Sequence, residues 1–351
     1  MHLLVVLPLL LAAPPPASPP PTLTPDAAYA LVVRAPLSRD PLPEQAQLAA
    51  ARKVLNAQVA REPKTAKWAY ALAHVAYAEA RQAGGKAAEE RREEALERFQ
   101  HAAELQPGHA DGQAWLASAC FDRLRDVNVL SQMSLASQGR KALEKAIALD
   151  PDHVGARVGL AQFYLQAPSM AGGDRAKAKE LGAQLLALPG KRGEFQGHML
   201  LAGIAAREDN WAEMSRHYVA AETAQGQGAD PLAAMQAHAG ALLSRANDPK
   251  AALPVMERYV KAAPADDVSA WFFDGEVKRQ QGKCAESVLR YEQVIAKVDG
   301  ARGSRWGAAV CHEQLGHRDL ARKHYGEFSR RFPDDPRAKD AKAALQRLGK
   351  S

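Results

Sequence analysis

The segment His312-Glu313-Gln314-Leu315-Gly316-His317 is where this sequence comes nearest to a metal-binding motif. In the H-E-x-x-H pattern two imidazoles stand four residues apart, so both leave one face of a helix toward a zinc ion. Here the separation is five, which places the rings about 140° apart on a helix. Gly316 also falls where a turn is expected. No two of the 11 histidines are three or four residues apart, so the expectation is no metal and no cofactor, with imidazoles on the surface or in the core. The glycines at Gly226, Gly228, Gly300 and Gly303 follow no strand and lack the trailing Lys-Ser/Thr of a phosphate loop. Ser304 lies in a Gly-Ser-Arg-Trp-Gly run without the central serine of a nucleophile elbow. Cys120 reads as a packing residue, and no Ser-His-Asp or Cys-His set can be assembled. The run Glu89, Glu90, Glu93, Glu94, interleaved with Arg91, Arg92 and Arg98, reads as a solvated helix with i,i+4 pairs. No catalytic residue is assigned, and the chain is read as a non-enzyme.

The elements that would position these residues are indicated by composition. The 351 residues are 47% hydrophobic and 25% charged, which excludes a wholly disordered chain. Alanine makes up roughly a fifth of the residues and aromatics only 6%, a balance that favours helix over sheet. Three cysteines are too few for a disulfide framework. Cys284 and Cys311 fall in neighbouring repeat units. They could pair in an exported chain, but buried free thiols are the reading preferred.

Leu3 to Ala13 form an apolar run with small residues at Ala17-Ser18, and residues 1–18 read as an export signal. Neither Lys nor Arg precedes the run, so the alternatives are a misplaced start, which would leave the protein cytoplasmic, or an apolar tail. Residues 19–44 are proline-rich and read as an extended leader, with a short docked segment at Tyr29 to Val33. No later run is long enough to span a membrane. The net charge of +6 is spread along the chain, and the most basic stretch, near the C-terminus, is interleaved with aspartates. Nucleic acid is therefore not the expected partner.

A repeated unit occupies residues 45–348. Five segments place a small residue, a large apolar residue four later, and proline eight beyond that: Ala51, Leu55, Pro63; Ala95, Phe99, Pro107; Gly139, Leu143, Pro151; Ala252, Met256, Pro264; and Ala321, Tyr325, Pro333. The small residue admits a partner helix, the large one fills the gap, and proline ends the helix. Trp68, Trp115 and Trp271 follow within eight residues of such a proline, and Trp271 and Trp306 are 35 residues apart. Turn residues such as Gly282-Lys283 and Gly316-His317 separate two amphipathic helices in each unit, which makes helical hairpins.

These residues resemble the 34-residue tetratricopeptide repeat, best in the unit of Trp271, Gly275, Ser287, Tyr291 and Val294. The resemblance implies an all-α fold: a right-handed superhelix of about seven hairpins with first helices centred near residues 72, 119, 161, 202, 240, 275 and 310. Residues 335–348 would form a capping helix. Pro63, Pro107 and Pro151 are 44 residues apart, so the first units carry insertions, at 84–94 and 126–138, expected at the turn inside each hairpin. At 166–174, Pro168 ends one helix and Asp174 caps the next. The unit of Trp211, Met214, Tyr218 and Ala221 is weak, because Gly-Gln-Gly residues replace its terminal proline. An Ala-Pro…Gly-Gly-Asp turn of this kind resembles that of exported bacterial proteins of this family.

The resemblance further implies a protein or peptide partner held in a concave groove lined by first helices. The Lys and Asn clamp that some relatives use for a terminal carboxylate is not matched, because the inner positions are mostly Ala, Gln, Gly, Val and Leu. Arg123, Arg207, Arg245 and Arg279 all fall near the C-terminal ends of first helices, with Phe272 beside them. Aligned as a column, they would bind an acidic segment; taken singly, each would cap its own helix. A small-molecule accessory subunit and a cytosolic scaffold are the rival functions. The sequence leaves the oligomeric state open.

Overall fold

The computed structural model describes residues 23–33 and 41–349, and the expected signal segment lies outside these residues. They form helices without a strand, and no helix among them is long and apolar enough to cross a membrane. The chain divides into two compact units that meet in sequence between Ala142 and Leu143.

The N-terminal unit contains α1 (Pro25–Val32), α2 (Gln45–Arg61), α3 (Ala66–Gln82), α4 (Gly85–Leu105), α5 (Ala110–Arg123), a 3-10 turn (Leu124–Asp126) and the first part of α6 (Val129–Leu149). Within the expected leader, Thr24 caps α1 by accepting from the Ala27 amide at 3.2 Å, and Pro25 opens the helix. Ala28 and Val32 are buried against Leu48, Leu55, Leu72 and Val75. The docked segment expected at Tyr29 to Val33 is thus the second half of a helix. Helices α4 and α6 are each 21 residues long. The inserted residues mostly extend second helices instead of enlarging the turns, because runs such as Ala-Ala-Glu-Glu-Arg-Arg are strong helix formers. Arg52 of α2 donates to Glu79 and Glu94 at 2.7 and 2.6 Å. Burial pushes the Glu94 carboxyl up, but hydrogen bonds from Arg52, Arg91 and Arg98 outweigh it and hold the pKa down at about 2.

The C-terminal unit begins at Leu143 in α6 and adds five hairpins and a last helix. These are α7 (Val154–Gln166) with α8 (Arg175–Leu186), α9 (Glu194–Arg207) with α10 (Trp211–Thr223), and α11 (Pro231–Ser244) with α12 (Pro249–Ala262). Then come α13 (Val268–Gln280) with α14 (Cys284–Lys297), α15 (Arg302–Gln314) with α16 (Arg318–Arg331), and the closing α17 (Ala338–Gly349). Among the described residues, α3/α4 adds a sixth packed hairpin, and α5 and α6 follow one another in sequence as the seventh helix pair that the repeat count expects. From α7 onward each helix packs on the next, and first helices also touch each other, α7 with α9 and α13 with α15.

Local chemistry sets these boundaries. Asp174, Asn210, Asp230, Asp248 and Asp267 each accept an amide hydrogen bond from three residues on, at 2.6–3.2 Å, and so start α8, α10, α11, α12 and α13. Trp271 reaches back from α13 to donate to the Ala265 carbonyl at 2.8 Å, fixing the preceding link. At the 166–174 turn Gly173 has no alternative, since a Cβ there would overlap the Ala167 carbonyl oxygen. The small–large rule also holds in three dimensions: Ala252, Met256 and Tyr259 are buried in one core, and Ala321, Tyr325 and Phe328 in another.

Candidate functional site

The four arginines selected from sequence have different fates. Arg123 ends α5 in the N-terminal unit and is buried, with Asp126 at 3.2 Å and Glu93 at 3.3 Å. The other three belong to the C-terminal unit. Arg279 of α13 donates to Glu276 at 2.6 Å, and Tyr291 of α14 donates to the same carboxylate at 2.7 Å. Phe272 is half-buried against Phe273 and Tyr291, with ring centres 5.5 and 6.4 Å away. It is a packing aromatic. Arg207 and Arg245 remain exposed. Arg207 donates to Gly203 of its own helix at 3.2 Å, which is the helix-terminal role weighed above. Neither has a carboxylate partner among the described residues.

Those two charges nevertheless converge. Tyr218 of α10 lies between α9 and α11; burial pushes its phenol pKa up, and the positive charges of Arg245 and Arg207 oppose that rise. Two exposed guanidiniums from successive first helices are thus near enough to one buried tyrosine to oppose its pKa rise. Such an arrangement can accept a carboxylate by forked hydrogen bonds.

A second group gathers near the end of the unit. Glu292 of α14, His312 of α15 and His324 of α16 each offer a ligand atom, all within 4.8 Å of one another. Glu292 Oε1 is 2.8 Å from His324 Nε2 and 3.9 Å from His312 Nε2. Burial pushes both imidazoles below their usual pKa, and Glu292 opposes this. The five-residue spacing to His317 gives His312 no partner on its own helix face. In the fold its ring stacks 5.5 Å from that of His324, a residue of the next helix. Sequence spacing within one helix carried no signal for a set drawn from three.

Cys284 and Cys311 form a disulfide with Cα atoms 5.0 Å apart. The free-thiol reading is therefore corrected. It failed because the start of α14 lies beside the end of α15. Cys120 stays a free, buried thiol, and burial pushes its pKa up to about 12, so it has little thiolate character at neutral pH. In the N-terminal unit a cavity of about 80 Å³ is lined by Tyr29, Lys67, Tyr70, Gln106 and His109, among others.

Residues 124–173 match the family model of the tetratricopeptide repeat. That segment is similar to the tetratricopeptide repeat. A tetratricopeptide repeat protein from Parabacteroides merdae resembles it with a TM-score of 0.51 at 13% identity, over 76% of this chain and 93% of that one. Pseudomonas aeruginosa pilF resembles it with a TM-score of 0.50 at 14% identity, over 67% of this chain and 96% of that one. The likeness is one of fold. No curated protein matches the chain. The matched segment includes α7 and most of the turn ending at Asp174.

Proposed function

We propose that this repeat protein is a non-catalytic scaffold that binds an acidic peptide or protein segment on the face formed by its first helices. The observation that carries the reading is the pair Arg207 and Arg245, exposed, without carboxylate partners among the described residues, and both acting on Tyr218. Rigid hairpin stacking lowers the ordering cost of binding. Arg123 and Arg279 spend their charge on internal carboxylates and serve the scaffold instead. We further propose that the protein is exported to the cell envelope. The apolar Leu3 to Ala13 run and the Cys284–Cys311 disulfide support this, since disulfides persist in oxidising compartments.

The test is fluorescence polarisation of a panel of labelled peptides against the intact protein and the R207E/R245E variant. Acidic peptides should bind, and binding should weaken at least about tenfold in the variant, the effect of losing one charge-assisted contact. Binding that ignores both peptide charge and the variant would remove the proposal. The mature N-terminus, read by mass spectrometry, decides export.

A further inference from the structure

We propose that Glu292, His312 and His324 form a binding site for one divalent transition-metal ion, zinc by preference, that ties α14, α15 and α16 together.

The donor set is suited to such an ion. Two imidazoles and one carboxylate are the ligands of zinc and its first-row neighbours; calcium and magnesium favour all-oxygen shells and copper(I) favours sulfur. The spacing is suitable too. Ligands at bonds of about 2.0–2.1 Å around a tetrahedral ion stand roughly 3.3 Å apart. The two measured separations, 2.8 and 3.9 Å, lie on either side of that value. Small side-chain rotations would equalise them.

His324 supplies the independent observation. It is 2% exposed; its Nδ1 has no hydrogen-bond partner among the described residues, and its Nε2 faces only the Glu292 carboxylate. Glu292 comes within 2.8 Å of Nε2, but the contact lacks hydrogen-bond alignment. A buried polar group that is poorly paired is costly, and an ion shared by Nε2 and the Glu292 carboxylate would satisfy both at once.

The surroundings complete the site. The Nδ1 atoms of His312 and His317 are 3.3 Å apart, so His317 can accept from His312 and orient its Nε2 inward, as outer partners of metal-bound histidines do. Glu292 is exposed, which provides an entry path and leaves a coordination position to water.

The experiment uses the intact, chelator-treated protein titrated with cobalt(II), whose visible absorption reports a low-coordinate nitrogen–oxygen site, followed by displacement with zinc. One cobalt per chain is expected, displaced by zinc. H324Q should lose the signal, and H317Q should weaken affinity about tenfold. E292Q, altered at an exposed position, should weaken it by at least as much, and it decides the matter if H324Q does not fold by circular dichroism. His198 and His217, with Nδ1 atoms 3.0 Å apart elsewhere in the unit, provide the control. H198Q should bind as the parent does. The proposal is overturned if no stoichiometric binding occurs, or if binding survives E292Q unchanged or vanishes with H198Q.

Discussion

Gly307 of α15 lies against the ring of Tyr291 of α14: a methyl group placed at Gly307 would meet Tyr291 Cε2 at 2.5 Å. Gly275 of α13 closes on the other edge, where a Cβ would meet Cε1 at 2.8 Å. Tyr291 is fully buried and holds Glu276 through its hydroxyl. The two glycines are therefore the space in which the tyrosine sits. Gly307→Ala should cost about 1–3 kcal/mol through overpacking, seen as a lower thermal midpoint. Pairing it with Tyr291→Leu should cost less than the sum of the two single changes, because the clash is shared. Simple additivity would show that the ring and the glycine are not coupled.

The disulfide makes a separate prediction. Cys284 and Cys311 are 27 residues apart, and closing a loop of that size stabilises by about 3.5 kcal/mol. Peptide mapping without reductant should recover a single cross-link between these two cysteines, with Cys120 unmodified until the protein is denatured. Reduction should lower the thermal midpoint, and in C284A the reductant should have no further effect.

His238 of α11 predicts acid sensitivity. Burial, and then the nearby positive charge of Arg258, lower its pKa from 6.5 to about 4. Glu222 lies 3.9 Å from its Nδ1, but that carboxylate is engaged by Arg258 at 2.8 Å. The unfolded chain binds this proton more readily than the folded one does. The associated stability is therefore complete above about pH 6.5 and is lost as pH falls toward 4, amounting to up to about 3 kcal/mol. Denaturant midpoints measured across that range should converge between the parent and His238→Gln at low pH. A constant gap would refute the assignment.

The closing helix should behave as a lid on the last hairpin. Ala344 of α17 is 2% exposed and belongs to the core of Tyr325 and Phe328, while Arg347 reaches Glu313 of α15 at 2.7 Å. Ala344→Asp would bury an unpaired charge at a cost of about 2–4 kcal/mol. Hydrogen exchange should rise first in α15–α17, because hairpins of this kind lean only on their neighbours.

The architecture was legible because its signals are local and repeated. A small residue, a large residue and a proline at fixed spacing mark α2, α4, α6, α12 and α16, and Ala252, Met256 and Pro264 occupy the structure as that pattern requires. Capping aspartates such as Asp174 could also be read directly. The insertions were placed at turns because a longer repeat says only that residues were added; helix propensity then drew most of them into α4 and α6. The site was less legible. An arginine near a helix end looks the same whether, like Arg279, it finds Glu276 at 2.6 Å or, like Arg245, it faces solvent. Cys284 with Cys311, and Glu292 with two histidines, meet only through packing between helices, which spacing along one helix cannot report.

The covalent link between α14 and α15 has a mechanical consequence. It joins the second helix of one hairpin to the first helix of the next, across the boundary at which hairpins would peel apart under load. If the chain were stretched from its ends, the segment between the two sulfurs could not pay out. About 90 Å of contour length would be withheld at roughly 3.3–3.6 Å per residue, and only a reductant would release it.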